Sequence, residues 1–589
     1  MQRAWIGALQ TPKIRGLRGM VRSFGETTKT DFKVRVRGGR ALLLASALLA
    51  APPCASAWAQ PAPDAQSRLG AIEQKLQALK AELKALKARA AAREQQLKAA
   101  QAAPPAPTNV TPVMPQIPAG YALVPAQPGS APGTVILTRA EAPKPSLTQM
   151  GHFQVGAVDV QLGGFFAAEG VFRSRNQVED IQSNFNTGIP ERNSPLYHEP
   201  EFIESSRQTR FTAILTAHPD DVTQILAYIS TDFQGAAPTS NANESNSWVP
   251  RLREGYLTYS RSDLGIEVLA GQAYSLVSMT RFGMEPVNFN PPPTIDPTYV
   301  AGTFWARQPQ IRLEKSFLDK QYWLAVSVEN PQTVYSETSI PSTLGTLNVS
   351  NAGIGVDANG LSYSNNFAPD VVVKGVSDSK YAHLEAFGLG RLFNDRLSQL
   401  GTGESKTVFG GGAGGAALIR IIPNYLEFDA DGMAGEGIGR YGTSQLPDAT
   451  IGRDGQPVPL PEWGVEAGLI GHPIQTVDLY GFAGTEQTSR RFFDADVKGK
   501  ETAYGYGNPL YSNEGCETEL STLTCTANTS GIVMGSVGAW WRFLKGPFGT
   551  MQVGVQYDYV HRSVFQGLGR TPETNDNFVF LSFRYFPWQ

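Results

Sequence analysis

Five arginines, four of them in polar alternation, are the residues of this chain best placed to do chemistry. Arg210 stands two and six residues before Thr212 and Thr216, Arg253 follows Arg251 by two, and Arg312 follows Gln310 and Gln308. In an extended strand a spacing of two puts such groups on one face. Arg281 joins them, with Glu285, from the proline-rich stretch "SLVSMTRFGMEPVNFNPPPTIDPTY". A guanidinium about 4 Å from a carboxylate is worth roughly 4 kcal/mol at an effective dielectric of 20, so the chemistry on offer is reversible attraction of anions. Single arginines could instead pair with acids such as Glu314. Glu254 falls on the apolar parity of its strand, which only a bulge or a contact with another subunit would excuse. Bond-breaking chemistry has one hint, His383 two residues before Glu385, and no nucleophile pattern beside it. The chain is therefore not read as an enzyme. Six His and three Cys are thin material for a metal site, and the run "GGGAGG" (410 to 415) belongs to a strand, so no metal and no cofactor are expected.

The elements that must carry these arginines are strands. In "TMQVGVQYDYV", Met551, Val553, Val555, Tyr557 and Tyr559 share one face while Gln552, Gln556 and Asp558 share the other. Such stretches recur from residue 151 onward. Outward runs are read near 152–168, 222–233, 264–274, 320–329, 380–392, 424–436, 475–486 and 549–561. Returning runs are read near 205–217, 250–261, 301–316, 368–376, 407–421, 461–472, 531–543 and 577–587. Short turns such as "HPDD" (218–221) and "LDK" (318–320) alternate with long loops such as 174–204, 275–300, 331–366 and 487–530. Sixteen alternating strands, with loops long at one end only, read as an antiparallel transmembrane β-barrel whose outer wall meets lipid. Charged residues at 17% and 60 glycines fit that reading. Tyr256, Tyr322, Tyr557, Tyr559, Phe583 and Tyr585 are expected to form an interfacial aromatic girdle.

Ahead of the barrel, Lys33, Arg35, Arg37 and Arg40 precede "ALLLASALLAA", and small residues at Ala55, Ala57 and Ala59 follow, the pattern of a signal peptide. Eleven apolar residues are too few for a spanning helix, which takes about 20. Residues 1–59 carry ten Lys/Arg and two Asp/Glu, leaving 40 against 51 and a net charge of about −11. An acidic exported chain makes nucleic acid an unsuitable partner. Residues 60–101 then repeat as a heptad, with Leu69, Leu76 and Leu83 at one core position and Ile72, Leu79 and Leu86 at the other. That seam predicts a short α-helical coiled coil of three or more strands in the periplasm. Residues 102–150 read as a Pro/Ala-rich spacer in which "YALVP" and "TVILT" could pair as a hairpin. Cys516 and Cys525, the two cysteines left after cleavage, lie in the loop 487–530 and are expected to form a disulfide.

Several segments carry a resemblance. "VPRLREGYLTY" (249–259) followed by "VLAGQAYSL" (268–276), then "FWARQPQIRLEK" (304–315) and "GEGIGRYG" (435–442), are similar to recurring segments of the DcaP-like trimeric outer-membrane porins of Gram-negative bacteria. The order of signal, coiled coil, spacer and barrel resembles that family as well. The resemblance implies a homotrimeric diffusion channel in the outer membrane, passing small organic anions, notably dicarboxylates. A phosphate-type porin and a structural anchor with a periplasmic coiled coil are the rival readings.

Overall fold

In this computed structural model the described residues are 121–125, 135–139, 151–235, 249–352, 362–364 and 366–588. The expected signal peptide and the heptad core Leu69, Ile72, Leu76, Leu79, Leu83 and Leu86 lie outside them. Within the Pro/Ala stretch, Tyr121–Pro125 and Val135–Arg139 pair as an antiparallel hairpin.

Sixteen long strands among the described residues form one closed antiparallel barrel. They are β1 (Val158–Arg173), β2 (Arg210–Ala217), β3 (Thr223–Asp232), β4 (Arg251–Arg261), β5 (Ile266–Tyr274), β6 (Arg307–Phe317), β7 (Tyr322–Glu329) and β8 (Asp370–Asp378). The second half comprises β9 (Ala382–Gln399), β10 (Thr402–Ile422), β11 (Leu426–Glu436), β12 (Pro461–Ile474), β13 (Val477–Thr488), β14 (Thr529–Gly546), β15 (Gly549–Val564) and β16 (Glu573–Phe586). Each strand pairs with the next, and β16 closes on β1 through Phe578↔Arg173 to Tyr585↔Phe166. Closure leaves no sheet edge, so every strand finds its backbone partners inside the wall.

Alternation sets the two faces of that wall, and burial is inverted relative to a soluble protein. Along β6, Ile311 (64% exposed) and Leu313 (48%) point out, whereas Arg312 (2%) and Glu314 (1%) point in. Leu324, Val373, Leu469, Val537 and Leu581 continue the exposed apolar face around the barrel. Tyr322, Tyr557, Tyr559 and Phe583 are exposed on it too, as the girdle requires. Tyr256 is not: it is buried inside, 5.3 Å from the ring of Tyr228.

Strand limits differ most where alternation stops being informative. β9 and β10 run on past the apolar stretch and meet at Leu400–Gly401. The added residues, including Asn394, Arg396 and Lys406, keep pairing across the hairpin without any lipid to face. Apolar alternation records contact with hydrocarbon, while the ladder needs only backbone groups. At the other end the turns are tight, and Leu318, Asp319 and Lys320 all take positive φ between β6 and β7.

Candidate functional site

The third long loop, residues 275–306, folds into the barrel and divides its interior. It leaves β5, runs along β8–β11 through the turn Pro286–Asn288, and returns across the lumen to β6. Its backbone is held mainly by carboxylates on the wall it covers. Leu276 N donates to Glu329 at 2.9 Å, Thr280 N to Glu385 at 2.8 Å, Gly283 N to Asp378 at 2.8 Å, Gly302 N to Glu486 at 2.8 Å and Phe304 N to Asp431 at 2.8 Å. Asn290 Nδ2 reaches Asp429 at 2.6 Å. A loop inside a barrel must satisfy its own N–H groups, and ionisable acceptors make the strongest available bonds. β11, β12 and β13 contain no Lys or Arg, and of their inward acids Asp429, Asp431, Glu462, Glu466 and Glu486 are buried.

The opposite side stays open and is basic. Two cavities lie there, and both are bounded by Pro297 and Tyr299 of the loop. The one toward the long loops, about 280 Å³, is lined by Arg251, Arg253 and Arg307 with Trp305 and Glu179. The one toward the short turns, about 310 Å³, is lined by Arg210, Arg542 and Arg584 with Phe165, Trp540 and Asp478. Six arginines therefore meet two carboxylates along the two cavity walls. Four of the six are tied in place. Arg251 and Arg253 share Asp232 at 2.8 Å each, Arg542 pairs with Asp478 at 2.6 Å, and Arg584 pairs with Glu169 at 2.7 Å. Arg584 also stands over Trp540 and Phe165 at 4.6 and 4.8 Å from the ring centres. Burial raises the loop carboxyl of Glu179 above its ordinary range, against the opposing pull of Arg173.

A single bulge arranges the long-loop cavity. The pairing of β3 with β4 slips between Ser230↔Glu254 and Thr231↔Leu252, leaving Arg253 as the extra residue. Above the slip Arg251 and Arg253 point inward, and below it Glu254, Tyr256 and Thr258 do, with Leu252, Leu257 and Tyr259 outward. The bulge re-aims the strand. It explains why Glu254 is buried despite its parity and why Tyr256 leaves the girdle.

Of the arginines read from the sequence, Arg210, Arg251 and Arg253 line the cavities. Arg281 and Arg312 do not, because the loop takes them. Arg281 is bound to Glu427 at 2.6 Å on the covered wall. Arg312 is 2% exposed and donates to the carbonyls of Met284 and Tyr274 at 2.9 and 2.6 Å, beside Glu314. Lys374 and Arg391 are likewise buried, the first against Glu385, the second against Asp370 and Asp448. Sequence reading missed Arg307, Arg542 and Arg584. Arg307 sits on the lipid-facing parity of β6, where a charge is costly, and that cost was the available signal. His383 lies between Asp378 at 2.6 Å and Glu385 at 2.8 Å, with Thr280 Oγ1 at 3.4 Å. The grouping superficially suits nucleophilic catalysis, but His383 is sealed beneath the loop that carries Thr280 and both are buried, so a substrate has no approach. Among the described residues no group of three His, Cys, Asp or Glu is arranged to hold a metal. Cys516 and Cys525 form a disulfide in the loop between β13 and β14.

This architecture has solved counterparts. The outer-membrane channel DcaP of Acinetobacter baumannii matches with a TM-score of 0.50 at 16% identity, over 74% of this chain and 100% of that one. The fold is that of an outer-membrane channel. An anion-selective porin from Comamonas acidovorans matches with a TM-score of 0.40 at 7% identity, over 73% and 99% of the two chains. The trimer form of OmpT from Vibrio cholerae gives 0.37 at 10% identity, over 73% and 99%. No family model and no curated protein matches the sequence. The likeness to DcaP read from short segments is thus matched at the level of fold.

Proposed function

We propose that this protein is an outer-membrane porin, a diffusion channel for small hydrophilic solutes that favours organic anions such as dicarboxylates. One observation carries the reading: six arginines and two carboxylates line the open cavities, while Asp429, Asp431, Glu462, Glu466 and Glu486 of β11–β13 are buried away from them. Water-filled cavities bounded by fixed positive charge raise the local concentration of anions and repel cations. Affinity must stay modest, since conduction requires release. The decisive experiment is the reversal potential of single channels in a salt gradient. Anion preference is expected, and a cation preference would sink the reading. Succinate competing better than phosphate for the same current separates this channel from a phosphate-type porin. A protein that inserts but does not conduct would be a structural anchor.

The same proposal places the long loops outside the cell and the short turns in the periplasm. The mature chain then comprises a periplasmic coiled coil (60–101), a spacer (102–150) and the barrel (151–589), after removal of residues 1–59. We take the assembly to be a homotrimer, supported by the heptad seam and by an apolar outer wall on which barrels can associate. Native mass spectrometry should give a trimer, and deletion of 60–101 a less stable trimer. A monomeric mass for the intact protein would refute the arrangement.

A further inference from the structure

Each of the two cavities contains one arginine that has no side-chain hydrogen bond or ion pair among the described residues. In the long-loop cavity the Arg307 side chain makes no ion pair or hydrogen bond among the described residues, and lies 5.8 and 5.5 Å from the ring centres of Tyr274 and Trp305. In the short-turn cavity Arg210 is in the same state, 5.4 Å from the ring of Phe165, while its neighbours Arg542 and Arg584 are matched by Asp478 and Glu169. The Nε atoms of both free arginines are buried without an acceptor. Each side chain is only part-buried and lines its cavity, so an anion from solution can reach a guanidinium whose Nε is left without an acceptor, a state that is costly until it is relieved.

We infer that the lumen holds anions at two stations in series, one built on Arg307 and one on Arg210, so that two small carboxylates occupy the channel together. The Arg210 station has Gln552 as a second donor and the proline run Pro291–Pro293 as its far wall. Pro297 and Tyr299 stand between the stations. Repulsion between two bound anions promotes release, which lets a channel bind its solute and still conduct. This inference rests on the anion-channel reading above.

The test uses the full-length protein in planar bilayers with succinate added to one side at a time. Wild-type conductance should saturate in two phases as succinate rises. Arg210→Gln should weaken apparent affinity about fivefold for succinate arriving from the short-turn side and remove one phase, the effect of losing one charge at contact distance in water. Arg307→Gln should do the same from the long-loop side, and Arg210→Lys should restore much of the loss. An anion-selective wild type with a single phase, or variants that weaken both sides equally, would overturn the two stations and leave the channel reading standing. A wild type without anion preference would overturn both.

Discussion

The two walls of this lumen carry opposite charges and differ in what covers them. β11–β13 present acids with no Lys or Arg among them, yet the loop 275–306 and its neighbour 437–460 use Asp429, Asp431, Glu462 and Glu486 as acceptors and bury them. The arginines of β2, β4, β6, β14 and β16 line open cavities instead. Lumenal charge, then, follows from which wall the loop selects and not from the protein's net charge of about −11 after residue 59. The acids are spent in holding the loop, and what remains facing solvent is basic. Local fields of this kind decide ion preference over a distance comparable to the screening length.

Removing the cover should have the largest effect. If residues 279–290 are replaced by a short Gly-Ser link, Glu385 and Asp429 lose their loop partners and face water. In water such carboxyls ionise near pH 4, so at neutral pH the lumen gains negative charge. The reversal potential should move strongly toward cations and change sign. An unchanged anion preference would mean that the covered wall has no part in setting selectivity.

Reversing charges on the open wall should have the next largest effect. Arg253→Glu with Arg307→Glu should weaken or invert anion preference, and more at 0.1 M salt, where the screening length is about 10 Å, than at 1 M, where it is about 3 Å. The contrasting substitution is Arg312→Met under the loop. It leaves Glu314 buried without its partner, a loss of about 3–5 kcal/mol, while the cavity charge is untouched. The thermal unfolding temperature of the protein should fall for Arg312→Met and selectivity should hold. The opposite pairing of outcomes would reverse the assignment of the two walls.

How much of this was legible in the sequence follows from what alternation encodes. The sixteen strands were readable because lipid on one side and water or polar loop on the other force a period of two. The inward setting of Arg210, Arg251 and Arg253 was readable for the same reason. What the sequence did not disclose was the path of a 32-residue loop, because its contacts join residues more than a hundred positions apart, as Thr280 joins Glu385. Hence Arg312 shared parity with lumen residues, and Arg281 was read as a pore-facing residue of the loop, but both hold the loop against the wall. The bulge at Arg253 was hidden too, although Glu254 on the wrong parity marked the strand that carries it.

A smaller effect is expected at the disulfide, which touches neither wall. Replacing Cys516 and Cys525 by Ser frees a loop closed over nine positions, a loss of about 2–3 kcal/mol of local constraint in the chain-entropy model. Proteolysis should reach 487–530 sooner, with reversal potential and barrel melting unchanged. Thiol reagents should fail to label the native protein until reductant is added, and immediate labelling of both cysteines would rule the bond out.

The smallest effect tests whether the open wall can be tuned from within. Glu179 is the carboxylate that faces Arg251, Arg253 and Arg307 across the long-loop cavity. Burial holds its pKa above the ordinary value, so mild acidification protonates it before most surface carboxylates. Protonation removes a negative charge and leaves the arginines unchanged, so anion selectivity should rise slightly as pH falls through that raised value. Glu179→Gln should show the higher selectivity already at neutral pH and lose the rise on acidification. Should the pH response persist in Glu179→Gln, another carboxyl facing the pathway is titrating and the assignment to Glu179 fails.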